Sequence, residues 1–456
     1  MPFIGYIIVG YPRVIASFTK DAITRGYPTM RIHHLTNFPD VFEPVAFEQN
    51  FWFGGVWRYT DRTENDDFGL PVHSAMYNNL KVNIPKEIME IPGFPFPKEW
   101  NKSYITRQQC LEYLNMFANH FNLRKHIQFH THVHNVQPLK EANEDGKTKW
   151  LLTFSPVNKM SEVKQEKFDA VFVCNGHDSN PYIPVIAGMD EFEGRKIHSK
   201  WFRFEEHFDG LRVAILGCHF SGEDISMNVA KYAKKKNAKG ISPSFPKEIE
   251  QRPPFVRMTK DSVVFPDGSS EKVDAIIFCT GYRYSFPFLN DGLITIKDER
   301  IEPIYKHMVH IEHQNLIFFG IPRQLSYFPH FHEMAKFAII LLAGKITLPS
   351  KEEMRAESEA EYQARLKEGK PPIFAHYMGD GHRQTEFNAQ IAKLGGFEPL
   401  PPVIQMIWDD VLDERYMNII NTHEFDYEIT GPNSYRCLTP EKVKSRVSKA
   451  ENVVGK

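Results

Sequence analysis

Two strand–glycine-turn–helix segments about 200 residues apart, and two further apolar strands that each end in a small-residue turn, predict an α/β fold with two mostly parallel sheets. The first segment is Tyr6-Ile-Ile-Val-Gly10, followed by helical sequence to Arg25 and a stop at Gly26. The second is Val213-Ala-Ile-Leu-Gly217-Cys-His-Phe-Ser221-Gly222-Glu-Asp224. Its helix is expected to run to about Lys236, where a Lys-rich end suits the negative pole of the helix dipole. The two further strands are Ala170-Val-Phe-Val-Cys-Asn175-Gly176 and Ala275-Ile-Ile-Phe-Cys-Thr280-Gly281, each preceded by Asp.

The remaining elements follow in order. Phe3 to Gly10 lacks the basic start and small-residue cleavage site of a signal peptide and reads as a buried strand. Lys149 to Ser155 alternates apolar and polar residues, as a half-buried strand does, and Asp261 to Asp274 holds a Pro266-Asp-Gly268 turn between two extended runs. Ser350 to Lys370, rich in Ala, Glu and Lys, reads as an exposed helix with a structural role.

With 456 residues the chain is long enough for two to three domains or one large two-domain enzyme. Lys and Arg number 55 against 57 Asp and Glu, so no basic surplus points to nucleic acid, and a small-molecule partner is expected. The five cysteines show no CxxC pair and no zinc-site spacing, which suits a reducing, cytoplasmic setting. Apolar stretches such as Phe337 to Gly344 fall well short of the roughly 20 residues of a membrane-spanning helix.

A dinucleotide turn uses its first glycine for the tight bend, its second for backbone approach to the pyrophosphate, and its third for packing helix on strand; an acidic residue further on takes the ribose hydroxyls. In the first segment Gly10 stands alone, with Pro12 and Ile15 where the other glycines belong. The acid is read at Glu48, which ends the strand Pro44-Val-Ala-Phe-Glu48, and Gly54-Gly55-Val56-Trp57 follows as a second tight turn. Glu48 lies 38 residues past Gly10, so Pro28 to Phe42 looks inserted. The second segment keeps Gly217 and Gly222 but has His219 in the middle position, leaving N–H groups at the helix start for a pyrophosphate. A plain packing turn is the alternative, and His219 is read as a core histidine or a cap. A 2′-phosphate would call for a basic residue near the next strand, with Lys239, Arg252 and Arg257 as candidates.

Three stretches in the right order make the chain resemble the flavin-containing monooxygenases. Phe192-Glu-Gly194-Arg-Lys-Ile-His198-Ser-Lys-Trp-Phe202 matches their FxGxxxHxxx[Y/F] signature, upstream of the second nucleotide turn as in that family. Phe202 followed by Arg203 separates it from Baeyer–Villiger monooxygenases, which carry Trp and then Pro or Asp. Phe278-Cys-Thr280-Gly281-Tyr282 resembles the [F/C]xTGY turn, and Tyr77-Asn-Asn-Leu-Lys-Val-Asn83-Ile-Pro-Lys-Glu87 the segment carrying an active-site Asn. The Gly217-Cys-His-Phe-Ser221 turn is similar to the branch with bacterial trimethylamine monooxygenase, which also lacks the middle glycine. The likeness runs from about Glu43 to Pro440.

The resemblance implies two Rossmann-like domains, the smaller NADP-binding domain (185–289) inserted in a larger FAD-binding domain (1–184 and 290–456). It implies FAD and NADPH as cofactors and O2 as co-substrate. A C4a-hydroperoxyflavin would oxygenate the soft nitrogen or sulfur of a small amine or sulfide. Asn83 would be the catalytic residue, preserving that species through its amide; a turn-capping Asn before Pro85 is the plainer role. Gly10, Glu48, Gly54, Gly55, Val56 and Trp57, with Val82 and Ile84 beside Asn83, would serve FAD; Gly217, Ser221, Gly222, Glu223 and Asp224 would line the NADP pyrophosphate. His198 would organise the linker between domains, with His73, His330 and His332 outside the chemistry. An uncoupled NADPH oxidase and an FAD-poor, catalytically weakened variant are the alternative functions, and the resemblance leaves a homodimer open.

Overall fold

The structure is a computed structural model and describes residues 7–10, 43–142, 146–232, 235–238, 245–246, 248–379, 381–417 and 419–438. Pro12, Ile15, the expected helix to Arg25, the stretch Pro28 to Phe42 and Lys239 lie outside the described residues. Two large sheets organise the chain. In chain order their strands are β1 (Ile7–Gly10), β2 (Pro44–Phe47), β3 (Ile127–Gln128), β4 (Val171–Val173), β5 (Arg195–His198), β6 (Arg212–Leu216), β7 (Lys235–Ala238), β8 (Ile249–Gln251), β9 (Ala275–Phe278), β10 (Ile304–Tyr305), β11 (Val309–His310) and β12 (Leu316–Phe318). The first sheet runs β10-β11-β12-β4-β1-β2-β3 and the second β8-β7-β6-β9-β5, so the second sheet's strands fall, in sequence, between strands of the first.

All four pairings of the second sheet are parallel, as expected. Residues 213–216 of β6 and all of β9 are apolar because both faces are covered. Val213, Ile215, Ala275 and Ile277 pack with Ile225 and Val229 of a helix, while Ala214, Ile276 and Phe278 face Phe255, Met258 and Val263. The first sheet departs from the parallel expectation. β2 with β3 and β4 with β12 are parallel, but β1 runs antiparallel to both β2 and β4. An apolar run such as Ile7-Ile-Val carries no signal for direction, since side chains alternate faces identically in either sense.

The helices are α1 (Arg107–His120), α2 (Phe220–Val229), α3 (Tyr327–Leu342), α4 (Lys351–Lys367), α5 (Arg383–Gly395) and α6 (Val403–Met417). α2 stops seven residues short of Lys236, because Lys235–Ala238 is consumed as β7, paired in parallel with β6. Lys149 to Ser155 lies within the strand Thr148–Pro156, which buries Trp150, Leu152 and Phe154 in alternation. The Pro266-Asp-Gly268 turn joins antiparallel strands, with Gly268 at φ +81° and the Asp267 carboxylate accepting the Ser269 N–H at 2.9 Å. Ser350 starts α4 through a reciprocal capping pair with Glu353. No helix among the described residues is long and apolar enough to cross a membrane.

Candidate active site

The strand order of the second sheet reverses between β6 and β9, and the crevice outside the carboxyl ends of such a pair is where parallel sheets bind ligands. Gly217 ends β6 at φ +101°, and a Cβ there would lie 2.4 Å from the Cys279 carbonyl oxygen. A Cβ at Gly222 would lie 2.0 Å from the Gly217 carbonyl oxygen. Both glycines are therefore required for α2 to start this close to the two strands. His219 caps the helix, its Nδ1 accepting the Phe220 N–H at 2.9 Å. Burial, aided by Arg415, pushes its pKa down to about 4. The N–H groups of Ser221 and Gly222 have no acceptor among the described residues. The two acids that follow are already engaged. Arg415 of α6 donates to Glu223, while Asp224 accepts from the Tyr77 hydroxyl and from Asn228 at 3.3 Å.

Opposite stands the segment 80–84, held extended by Val82 N–H on the Ile105 carbonyl (2.9 Å) and Arg107 N–H on that of Leu80 (3.1 Å). Val82 and Ile84 turn into the core, Asn83 is exposed, and its amide has no hydrogen-bond partner among the described residues. Beside it the Gly54–Trp57 turn closes with Trp57 N–H on the Gly54 carbonyl at 2.9 Å. Gly54, at φ +117°, holds a backbone conformation that side chains rarely adopt, and a Cβ there would press on Leu111 Cδ1 of α1 at 2.4 Å. The Ser74 hydroxyl fixes the turn by donating to the Val56 carbonyl at 2.8 Å.

A cavity of about 600 Å³ brings Val56, Trp57, Val82, Asn83 and Ile84 together with Gly217, Ser221 and Asp224. A second space of about 390 Å³ shares Gly217, Cys218 and Thr280 and continues to Tyr182, Pro184 and Pro254. The signature stretch lies behind both. His198 Nε2 contacts the Gly281 carbonyl oxygen at 3.0 Å while its Nδ1 accepts the Lys200 N–H at 3.1 Å. These partners fix the neutral tautomer with the proton on Nε2, and burial pushes its pKa down to about 4. Arg203 gathers the carbonyl oxygens of Thr60, Arg62, Ser74, Lys200 and Phe202 at 2.7–3.0 Å. It thereby ties the signature to the loop that follows the Gly54 turn.

Other expected residues stand apart from the cavity. Gly54, Gly55, Gly222 and Glu223 shape its walls from behind. Glu48 is fully buried at the end of β2, holding the Asn50 N–H at 2.6 Å, and burial pushes its pKa well above the usual carboxyl value. Gly10 is not brought to Glu48. It pairs with Pro44, at the start of β2, about 13 Å along the strand from the acid. In a dinucleotide unit parallel strands would end the two at one edge, so the expected partnership of Gly10 with Glu48 is corrected by the reversed β1. Arg252 is held by Glu250 at 3.3 Å and Ser269 at 3.1 Å, whereas Arg257 is exposed. Tyr77, Arg415, Trp408, His423 and Tyr377, whose hydroxyl lies 3.4 Å from His219 Nε2, also line the cavity. Except for Tyr77 they come from the last 80 residues, where no motif marks them.

The sequence model described as flavin-binding monooxygenase-like matches residues 36–241 and 246–411. The match thus begins after Gly10, Pro12 and Ile15. Flavin-containing monooxygenase FMO GS-OX-like 8 of Arabidopsis thaliana is 36% identical over 359 residues, 74% of this chain and 77% of its own length. FMO GS-OX4 of the same plant is 31% identical over 428 residues, 83% of this chain and 90% of its own. Among solved structures, S-allyl-L-cysteine S-oxygenase from Allium sativum superposes with a TM-score of 0.76 at 29% identity, over 89% of this chain and 92% of that one. Tmm from Pelagibacter sp. strain HTCC7211 gives 0.77 at 25%, over 92% and 93%.

Proposed function

Because the chain belongs to the flavin-binding monooxygenase-like family, we propose that it oxygenates a soft sulfur or nitrogen of a small molecule, using NADPH and O2, in the cavity between Asn83 and the Gly217 turn. It is a flavoprotein monooxygenase with FAD and NADPH as its cofactors. The observation that carries the reading is the meeting, on one cavity, of an uncommitted Asn amide and a glycine-shaped helix start.

The residues fit a dinucleotide at Gly217. Among the described residues two N–H groups lack acceptors, and of the neighbouring acids Glu223 is paired with Arg415 while Asp224 accepts from Tyr77 and Asn228. We assign NADPH to residues 185–289, with Gly217, Ser221 and Gly222 at its pyrophosphate and Glu223 and Asp224 as the struts of that helix start. Residues 1–184 and 290–456 are assigned to FAD, with Val56, Trp57, Val82, Asn83 and Ile84 at its reactive end. Gly54 and Gly55 shape that turn, and Glu48 stands at the ribose end. Bound FAD supplies the redox chemistry that passes NADPH electrons to O2 and an oxygen atom to the substrate.

The protein's part is to place, shield and hydrogen-bond. Trp57, Tyr327, Phe328 and Trp408 give the cavity an apolar wall that excludes water from the reacting atoms. Asn83 offers a donor and an acceptor that no described residue competes for. His219 and His423, both pushed down to about 4 by burial, stay neutral at pH 7 and carry no proton to a product.

Sulfur is the favoured atom, as the S-oxygenase likeness suggests; an amine nitrogen is the alternative, favoured by the Gly217-Cys-His turn. FAD-loaded protein should oxidise NADPH faster when a methyl sulfide or tertiary amine is added, with one sulfoxide or N-oxide formed per NADPH. NADPH oxidation indifferent to every sulfide and amine, with all O2 recovered as peroxide, would leave an oxidase instead.

A further inference from the structure

Lys81 sits two residues before Asn83 on the same extended segment, so both side chains leave by the same face, while Val82 and Ile84 between and beyond them enter the core. Both line the 600 Å³ cavity. The other charged side chains on that wall are accounted for. Arg415 serves Glu223, Arg323 serves Glu299 at 3.2 Å and the Tyr282 carbonyl at 2.9 Å, Asp224 serves Tyr77 and Asn228, and Asp178 lies 3.5 Å from His177. The Lys81 ammonium makes no ion pair or hydrogen bond with any described residue. Trp408, 2% exposed on the same cavity, has an indole N–H with no acceptor among the described residues. The cavity wall near Asn83 thus offers donors and positive charge with no acceptor or counter-ion among the described residues.

From this we infer that Lys81 selects substrates carrying an anionic group, most simply a carboxylate, on a short chain from the sulfur; the inference rests on the oxygenation reading above. Residues two apart on an extended segment are separated by about 7 Å, which matches a sulfur placed at Asn83 and a carboxylate a few bonds away at Lys81. Both cofactors carry their fixed charge on phosphates, and the N–H groups of Ser221 and Gly222 stand ready for those of NADPH, which leaves Lys81 for a group on the substrate. A carboxylate is therefore the group that completes this wall, and Lys81 acts on specificity rather than on the oxygen transfer itself.

Three isosteric probes test this with the FAD-loaded enzyme: 3-(methylthio)propanoate, its neutral amide, and 3-(methylthio)propylamine. The expected order of kcat/KM is anion, amide, cation. K81M should lower the anion-to-amide ratio at least tenfold through KM for the anion, with KM for NADPH within twofold, and K81R should restore most of the ratio. An unchanged ratio in K81M, an equal loss for all three probes, or a raised KM for NADPH would overturn the proposal, the last two by assigning Lys81 to a cofactor. If none of the three is oxygenated, the sulfur reading itself fails and takes this inference with it, an outcome separate from a lost preference.

Discussion

The turn glycines Gly217 and Gly222 are legible residue by residue, because fixed spacing encodes the close approach that each allows, whereas Asn83 is reached only through the family resemblance. Their neighbours explain what they can and cannot tolerate. The Asn83 amide has no partner among the described residues, so Asn83→Ala should leave the thermal midpoint within about a degree while raising peroxide released per NADPH severalfold. Unchanged coupling, or a marked loss of stability, would show that the amide is a structural cap. Gly222 is the opposite case. Its missing Cβ is closed off by a backbone oxygen at 2.0 Å, which cannot swing away. Gly222→Ala should cost about 1–3 kcal/mol in denaturant unfolding and weaken NADPH binding as the helix start retreats. Arg415, Trp408 and Tyr377 were not legible. They reach the site across more than 150 residues of chain, and no spacing rule connects a charge on α6 or a phenol before α5 with a turn after β6.

At the scale of elements, β6, β9 and α2 follow from apolar runs and glycine turns, but two features do not. The Lys-rich sequence after α2 reads as a good helix end, yet the sheet claims it as a parallel strand, a tertiary demand that propensity does not report. The direction of β1 is likewise silent in an unbroken apolar run. Because β1 is antiparallel to β2, Gly10 itself lies at the sheet edge away from Glu48. Pro12→Gly with Ile15→Gly should therefore leave the flavin-to-protein ratio after dialysis unchanged; a clear rise would mean that β1 and β2 end together as in a dinucleotide unit. The start of α2 is braced from outside its own sheet by Arg415 on Glu223, both side chains largely buried (7% and 14% exposed). Arg415→Ala leaves Glu223 buried without its cation and should cost about 3 kcal/mol, with much of that recovered when Glu223→Gln is added. Additive losses in the double variant would deny the pair.

Across the whole molecule, burial depresses several histidines, His132, His198, His310, His330 and His423 all to about 4. The unfolded chain, with histidines near 6.5, binds more protons than the folded one between those values, so this stability is complete above pH 6.5 and is lost as pH falls toward 4. Glu48, Glu90, Glu166 and Asp409, each raised by burial, work in the other direction as pH rises. The thermal midpoint should fall steadily from pH 7 to pH 5; a flat profile would show that these rings are solvated. The same arrangement, the segment 80–84 and the Gly217 turn meeting at one cavity, carries the claim that the chain is an oxygenase rather than an oxidase. Turnover of a methyl sulfide with NADPH under ¹⁸O2 decides it most directly. The arrangement predicts one ¹⁸O atom in each sulfoxide molecule, formed one for one with NADPH; unlabelled product, or labelled peroxide with the sulfide untouched, would contradict it.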